Sequence, residues 1–134
     1  LAKHQDIQVK AKAIVPADLG NSISEVDLSI ILGNLMDNAI EACQQIPDKK
    51  DRFIRVYIDI LKGQLYLYIM NSSCQKLIRT GKIYRTTKNE KYHGFGLLRV
   101  DKMVEKYEGY LNRQDEEGVF ATEVMLPLID TIRA

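Results

Sequence analysis

The chain has 134 residues and contains no tryptophan, three prolines and only two cysteines. Because neither cysteine has a paired metal-ligand spacing, free thiols are the default interpretation. No apolar run approaches the ~18 residues of a membrane span. A formal net charge of +1 gives no global attraction to nucleic acid or membrane. The sequence therefore predicts one soluble, cytoplasmic domain over residues 1–134 without a nucleic-acid partner, and since it begins at Leu1 we expect it to be excised from a longer protein.

Apolar periodicity predicts the order strand, helix, two strands, basic loop, helix, two strands. Alternation from Ile7 to Ala13 predicts a half-buried first strand, and alternation on either side of Lys62-Gly63 predicts a hairpin. Helical periodicity begins near Asp27, and a second helix is expected to open at Gly94 and to end at Gly109. This order is typical of a two-layer α/β sandwich, in which helices cover one face of a mixed, mostly antiparallel sheet.

Two amides interrupt the apolar side of the first predicted helix. Asn34 and Asn38 are four residues apart, so their side chains lie one above the other on the helix. A carboxamide buried without partners costs roughly 1 to 3 kcal/mol, so a polar group must meet this pair. We interpret that group as a ligand with its metal ion, and Asn38 suits magnesium because this ion takes oxygen ligands.

Two further polar features are expected on the same side of the sheet. Continuing the alternation of the hairpin places Asn71 on its apolar face at the end of a strand, where an amide can pair with the edge of an adenine. Gly94 and Gly96 stand at the predicted start of the second helix, and the N–H groups of a helix start attract anions. Together they predict an adenine contact and a phosphate cradle.

The segment 72–93 lacks a sustained period and is longer than connections in compact domains usually are. Its six basic residues and single acid leave a local charge of +5 in a chain that is nearly neutral overall. Long loops of this kind are commonly functional lids. The basic residues are Lys76, Arg79, Lys82, Arg85, Lys88 and Lys91.

Two stretches together resemble a known family. Asn34-Leu-Met-Asp-Asn38-Ala-Ile-Glu-Ala is similar to the asparagine box of the GHKL ATPases, and Thr86-Thr-Lys88 followed by His93-Gly-Phe-Gly-Leu97 is similar to their later glycine box. The pattern most resembles the ATP-binding domain of Agr-type sensor histidine kinases. The resemblance runs from about Asp6 to Leu128 and implies the Bergerat α/β sandwich, with ATP and magnesium as cofactors.

The resemblance also implies roles around the phosphates. Asn38 would bind magnesium, and Asn34, the predicted catalytic residue, would approach the phosphate groups. Gly94 and Gly96 would lie beneath the phosphates, with Leu97 completing the cofactor-binding box.

At the adenine end and in the lid, further positions follow from the same resemblance. Asn71 would contact the adenine, and Thr122 would support the floor of its pocket. The segment 72–93 would form an ATP lid in which Lys88 and His93 contact the phosphate tail.

The sequence departs from the family pattern at two points. Most members carry Asp-x-Gly-x-Gly where this chain has Asn71-Ser-Ser-Cys74, and a neutral amide forms a hydrogen bond roughly half as strong as a carboxylate's. The Agr-type branch shares that absence. Where hydrolysing relatives place a glutamate base, this chain has Asn34, whose amide cannot take a proton at neutral pH.

These features predict a histidine-kinase catalytic domain that passes the γ-phosphoryl group of Mg-ATP to a histidine on an absent dimerisation helix. The implied partners are that helix and a response regulator, and the parent is expected to be a membrane-anchored homodimer. The alternative is a nucleotide- or protein-binding regulatory module without kinase activity. A third interpretation, an ATP-hydrolysing chaperone or topoisomerase fragment, is disfavoured by Asn34.

Overall fold

The computed structural model describes residues 6–14, 22–73, 78–80, 83–85 and 90–128. A single 3-10 turn, Lys49–Asp51, separates the first helix from the second strand. In chain order the other elements are β1 (Gln8–Ala13), α1 (Glu25–Gln44), β2 (Phe53–Leu61), β3 (Gln64–Ser72), β4 (Ile78–Thr80), β5 (Ile83–Arg85), α2 (Glu90–Lys106), β6 (Tyr110–Glu116) and β7 (Val119–Pro127).

Five strands form one sheet in the order β1-β2-β3-β7-β6, and β4 and β5 form a separate antiparallel pair. In the main sheet β1 is parallel to β2, whereas the other neighbouring strands are antiparallel. Residues of both helices and of the sheet share one hydrophobic core. The predicted two-layer α/β sandwich with a mixed, mostly antiparallel sheet is confirmed.

The predicted hairpin of β2 and β3 forms as expected, and the last two strands, β6 and β7, form a second hairpin. Lys62 and Gly63, between β2 and β3, both have positive φ, at 52° and 75°. Two consecutive positive φ values give a turn whose twist matches that of the flanking strands. Between β6 and β7 the turn contains Gly118, with φ of 86°. These turns set the strand registers that bring Asn71 and Thr122 to the helix-covered face.

Helix α1 supplies the centre of the core through a four-residue repeat. Ile31, Leu35, Ala39 and Cys43 are buried along one stripe and pack in the same cluster as Leu67 of β3. A four-residue spacing keeps side chains on one side of a helix, which fixes how α1 is rotated against the sheet. That rotation determines where the neighbouring amides of α1 point.

The expectation of a half-buried first strand is wrong. All six residues of β1 are exposed, and Val9 retains 37% of its accessible surface. The strand lies at the edge of the sheet, and α1 packs over β3 and β2 instead. Alternation therefore predicted the strand itself but not its burial, because burial depends on where the helices lie.

Helix α2 begins four residues before the predicted start. Glu90 is its first residue, so Gly94 and Gly96 lie inside the helix, and the preceding segment contains the short strands β4 and β5. Glycine is less favourable than alanine in a helix by about 1 kcal/mol, which is why the sequence pattern favoured a boundary there. Gly94 and Gly96 are therefore not at the start of the helix, where the unpaired N–H groups that attract an anion lie.

Helix α2 ends three residues before the predicted end at Gly109, and Gly109 has a different role from the one predicted. Helix α2 ends at Lys106, and the left-handed residue is Glu108, with φ of 53°. Gly109 donates its N–H to the carbonyl of Val104 at 2.8 Å. A Cβ on Gly109 would stand 2.5 Å from the carbonyl oxygen of Met125. This glycine is therefore required by the close approach of the chain to β7.

Neither helix among the described residues has the length and apolar content needed to cross a membrane.

Candidate functional site

The two amides of α1 meet the second glycine of the predicted box. A Cβ built on Gly96 would lie 3.6 Å from Oδ1 of Asn34 and 3.9 Å from Oδ1 of Asn38. Because real side-chain atoms make ordinary contacts at such distances, the backbone of α2 runs directly past both amide oxygens. The structure thus brings together three residues that the sequence linked only by pattern.

Asn34 presents its oxygen, and not its nitrogen, to α2. Its Nδ2 donates a hydrogen bond of 2.7 Å to the carbonyl of Ile30, one turn earlier in α1. The amide is therefore oriented by its own helix, and Oδ1 is the atom near Gly96. An amide oxygen only accepts hydrogen bonds or ligates metals, so this side chain suits a cation or a water molecule better than a phosphate oxygen.

Asn71 lies at the predicted position at the end of β3. It pairs across the sheet with Ile54 on one side and Phe120 on the other, and it is 3% exposed. Its Nδ2 donates to the carbonyl of Ser72 at 2.9 Å. The residue is therefore on the helix-covered face, with its amide orientation set by the adjacent backbone.

Thr122 is also buried on this face, one step further from the end of β3. Its cross-strand neighbours are Ile69 and Arg113, so Phe120, and not Thr122, stands directly opposite Asn71. The two predicted adenine-pocket residues share a face and a neighbourhood, but they are not a cross-strand pair.

Cys43 ties the end of α1 to the strand ends beside Asn71. Its Sγ lies 3.4 Å from the carbonyl oxygen of Phe53 and 3.5 Å from Oγ of Ser72. Ser72 in turn accepts the N–H of Phe53 at 3.0 Å. Burial raises the pKa of the Cys43 thiol, which is a free and buried cysteine. The group therefore acts as a small core residue with a weak donor.

An ion-paired cluster fixes the start of α1 to the end of α2. Ser24 caps α1 by accepting the N–H of Asp27 at 3.1 Å, and its own N–H donates to the Tyr107 hydroxyl at 3.3 Å. Lys106 Nζ lies 2.7 Å from Oδ2 of Asp27, to which the Tyr107 hydroxyl also donates. The hydrogen bond from Lys106, followed by that from Tyr107, holds the pKa of Asp27 below its ordinary value. The pKa of Lys106 is raised for the reciprocal reason.

A buried arginine near the site was not predicted from the sequence. Arg113 lies on the inner face of β6, with its side chain 4% exposed. Its Nη2 lies 2.8 Å from Oδ1 of Asp101 and donates to the carbonyl of Leu97 at 3.4 Å. Leu111, Arg113 and Asp115 share one phase of β6, so the sequence pattern did not mark Arg113 as part of an apolar face.

Other predicted site residues are only partly described. Leu97 is buried, with 5% of its surface exposed, and its carbonyl accepts a hydrogen bond from Arg113. His93 and Gly94 belong to the backbone of α2, but the His93 side chain lies outside the described part of the structure. Lys88 lies outside the described residues altogether. The predicted lid contacts therefore stay predictions.

The described residues contain no group of three or more histidine, cysteine, aspartate or glutamate side chains that could hold a metal ion. A metal in this part of the chain would therefore draw on amide oxygens together with ligands from a bound molecule and water. Magnesium is commonly held in this way, with few protein ligands and several waters.

Comparison with known proteins identifies relatives of this architecture. A family model described as a GHKL domain matches residues 23–127. Among curated proteins, none matches the chain. The histidine kinase domain of the Erythrobacter litoralis EL346 blue-light activated histidine kinase is similar, with a TM-score of 0.67 and 14% identity, over 97% of this chain and 57% of that chain.

Two further solved structures are similar. The catalytic domain of the histidine kinase ThkA, in a nucleotide-free form, has a TM-score of 0.70 and 20% identity, over 94% of this chain and 83% of that chain. Full-length ShkA in complex with AMPPNP has a TM-score of 0.69 and 16% identity, over 94% of this chain and 26% of that chain. This chain spans little more than half of the Erythrobacter domain. At these identities the likeness establishes a common fold.

Proposed function

Because the chain belongs to the GHKL domain family, we propose that it is the ATP-binding catalytic domain of a sensor histidine kinase of the Agr-type branch. In this proposal the domain donates the γ-phosphoryl group of Mg-ATP to a histidine on a separate dimerisation helix. The observation that carries the proposal is the meeting of Gly96 with the amide oxygens of Asn34 and Asn38.

The residues around Gly96 fit a nucleotide with its magnesium ion. Both amide oxygens face α2 at Gly96, where the helix has no side chain. Asn38 would ligate the ion, and Asn34, with its nitrogen committed to Ile30, would accept a hydrogen bond from one of the ion's waters. Magnesium, when bound, would neutralise charge that develops on the phosphate oxygens.

The glycine box would let the phosphate tail approach α2. A side chain at Gly96 would occupy the space in front of the amides, whereas glycine leaves that surface of the helix open. The proposed lid at 72–93 contains Lys88 and His93. These two residues would contact the phosphate tail and place positive charge beside it. In phosphoryl transfer the protein contributes mainly positioning and electrostatic stabilisation, and these groups supply both.

At the other end, Asn71 and Thr122 would form the base pocket. The buried amide of Asn71 has its Nδ2 on the Ser72 carbonyl, so its oxygen is the atom suited to accept a hydrogen bond from the exocyclic amine of adenine. Thr122 would lie beneath the ring, on the same face of the sheet. A neutral acceptor predicts weaker binding than an aspartate would give.

Asn34 distinguishes transfer from hydrolysis. An amide cannot remove a proton from water at neutral pH, so no general base for hydrolysis stands at this position. A histidine imidazole is itself a good nucleophile and needs no such base. The identity of Asn34 therefore favours transfer to a protein histidine.

The remaining elements of the proposal concern the parent protein. We propose a cytoplasmic domain of a membrane-anchored homodimer, with the acceptor helix and a response regulator as partners. ShkA, which shares the fold, has been solved with AMPPNP. That complex supports the choice of AMPPNP as the first ligand to test.

A regulatory module without kinase activity is the second candidate. It is favoured by the amide at Asn71, since a weaker base contact lowers nucleotide affinity. In that case the GHKL fold would serve as an interaction module.

The first experiment is a calorimetric titration of the domain with AMPPNP, with and without magnesium, for the wild type and for Asn38→Ala. We expect binding that depends on magnesium and that Asn38→Ala loses. Asn112→Ala is the matched control, because Asn112 lies on β6 in the strand phase opposite to Arg113 and so points away from the helices.

Absence of binding by the wild type at millimolar AMPPNP would overturn the proposed function. If Asn38→Ala binds AMPPNP with the same magnesium dependence as the wild type, the proposed role of Asn38 is wrong, but the proposed function is not. For the parent protein, failure to form phosphohistidine from Mg-ATP would leave the regulatory module as the better description.

A further inference from the structure

We propose that Arg113 is a positioning residue that holds the glycine box of α2 against the amides of α1. The inference rests on the proposed function for its effect on nucleotide binding. The positioning itself follows from contacts among Arg113, Asp101 and Leu97, and it can be tested without a nucleotide.

Arg113 lies on the inner face of β6 between two unlike neighbours. Leu111, two residues before it, pairs with the buried Val124, and Asp115, two residues after it, pairs with Phe120. A buried guanidinium is unfavourable unless its donors are satisfied and its charge is paired. An arginine at this position therefore needs a specific set of partners, and both partners described here belong to α2.

The two contacts clasp one side of α2. Nη2 of Arg113 lies 2.8 Å from Oδ1 of Asp101 and 3.4 Å from the carbonyl oxygen of Leu97. Leu97 and Asp101 are four residues apart, so both groups lie on the same face of the helix. The guanidinium is planar and rigid, and it can engage a carboxylate and a carbonyl together in a fixed geometry.

The clasp is adjacent to the site. Leu97 follows Gly96 directly, and Gly96 faces Oδ1 of Asn34 and of Asn38. Helix α2 is thus held from one side by Arg113 of β6 and meets the amides of α1 on another. A shift of α2 toward or away from the sheet would change the distance between Gly96 and the amides, beside which the phosphate tail is proposed to bind.

A second ion pair of α2, between Lys106 and Asp27, can be compared with the contacts of Arg113. At the end of the helix, Lys106 pairs with Asp27 at 2.7 Å, far along α2 from the glycine box. Loss of either pair removes one ionic contact of α2. Only the loss of the Arg113 clasp releases the part of α2 that carries Gly96.

The first measurement is hydrogen exchange of the domain without nucleotide, followed by mass spectrometry, for Arg113→Met and for Lys106→Met. We expect Arg113→Met to speed exchange of the amides at 96–101 by at least roughly tenfold while β3 stays protected. Lys106→Met should leave 96–101 unchanged and affect the end of α2. Equal exchange at 96–101 in the wild type and in Arg113→Met would overturn the proposal.

The second measurement is the affinity of the same variants for magnesium-AMPPNP and for adenosine. A displacement of about 1 Å in a binding or catalytic group can cost up to roughly a hundredfold. We therefore expect Arg113→Met to weaken AMPPNP binding by roughly tenfold or more and to change adenosine binding little, because the displaced helix lies under the phosphates. Equal losses for both ligands would indicate a general loss of structure and would overturn the proposal.

Arg113→Lys is a second variant with which the proposal can be tested if Arg113→Met does not fold. A lysine retains the charge, but its flexible stem ends in an ammonium and not in a rigid planar guanidinium. The two bonds that Nη2 makes to Asp101 and to the Leu97 carbonyl would therefore be held less firmly, and an intermediate loss is expected in both measurements. Full wild-type behaviour of Arg113→Lys would show that charge alone suffices and would overturn the positioning role. If the wild type itself fails to bind AMPPNP, the proposed function is lost, and exchange at 96–101 alone decides the role of Arg113.

Discussion

Asn34 and Gly96 face each other across the contact between α1 and α2, with Oδ1 of the asparagine 3.6 Å from where a Cβ of the glycine would stand. The amide oxygen is directed there because its nitrogen is bound to the Ile30 carbonyl. Two residues from separate parts of the sequence thus meet with room between them for a methyl group. This contact is where the predictions of function can be tested most directly.

A methyl group at Gly96 should separate stability from function. In Gly96→Ala the new Cβ makes ordinary contacts with Asn34 and Asn38, and alanine favours the helix by up to about 1 kcal/mol. We expect thermal stability to stay equal or to rise, whereas affinity for magnesium-AMPPNP falls by at least roughly tenfold, since one lost 1.4 kcal/mol contact corresponds to that factor.

Gly33→Ala is the matched control for that variant. Gly33 lies in α1, and a Cβ there would meet nothing within 4 Å. The same gain in helix propensity is expected without any change in affinity. Wild-type affinity in Gly96→Ala, or an equal loss in Gly33→Ala, would contradict the site.

We predict that the domain alone releases no phosphate from ATP in a steady state. Hydrolysis needs a general base that removes a proton from water, and the amide of Asn34 cannot do so at neutral pH. The measurement is phosphate release over hours with magnesium and excess ATP, compared with a no-protein control. Sustained release that Asn38→Ala abolishes would revive the hydrolase interpretation.

The Asp27 cluster predicts a specific acid dependence of stability. Because the pKa of Asp27 is lower in the folded state, the stability it contributes is present above the ordinary carboxyl pKa and is lost as the pH falls through the folded-state pKa. The pKa of Lys106 is raised, so its contribution is lost only as the pH rises through its folded-state pKa. We therefore expect the difference in unfolding midpoint between the wild type and Asp27→Asn to be constant near neutrality and to shrink in acid.

Asp6→Asn is the comparison for Asp27→Asn. Asp6 pairs with Lys49 at 2.9 Å, but both side chains are more than half exposed. Exposed pairs contribute little, so Asp6→Asn should lower the unfolding midpoint less than Asp27→Asn at neutral pH. An equal or larger effect of Asp6→Asn would contradict the importance assigned to the Asp27 cluster.

Gly109→Ala should be destabilising for steric reasons. Its Cβ would stand 2.5 Å from the Met125 carbonyl oxygen and 2.8 Å from Cδ2 of Leu126, and the backbone oxygen cannot move without disturbing β7. Overpacking of this kind typically costs about 1 to 3 kcal/mol. Urea unfolding measures the loss, and a free energy of unfolding equal to that of the wild type would contradict the close approach.

Local signals in the sequence were sufficient for much of the fold. The alternation around Lys62-Gly63 predicted the β2–β3 hairpin, because turn chemistry and the two-residue period both act over short distances. The spacing of Asn34 and Asn38 likewise predicted two amides on one side of α1. The proximity of Gly96 to both amides was expected only through the resemblance to a family.

Features that depend on tertiary packing could not be predicted in the same way. The exposure of β1 follows from the position of α1 over β2 and β3, and alternation carries no information on that. Glu90, and not Gly94, begins α2, because intrinsic propensity is a weak guide where tertiary contacts decide. Arg113 was missed because its partners, Asp101 and Leu97, belong to another element and acquire meaning only when α2 lies on β6.

The pairing of β3 with β7 has a consequence for how this domain can change in evolution. Ser72 and Val119 are cross-strand neighbours, so the segment between them, which contains the proposed lid, α2 and β6, leaves β3 and returns to the strand beside it. The entropy of closing such a loop grows only with the logarithm of its length, about 0.6 kcal/mol for each doubling. Insertions or deletions between Ser72 and α2 should therefore be tolerated by the sheet, which leaves the length of that segment free to be adjusted to function.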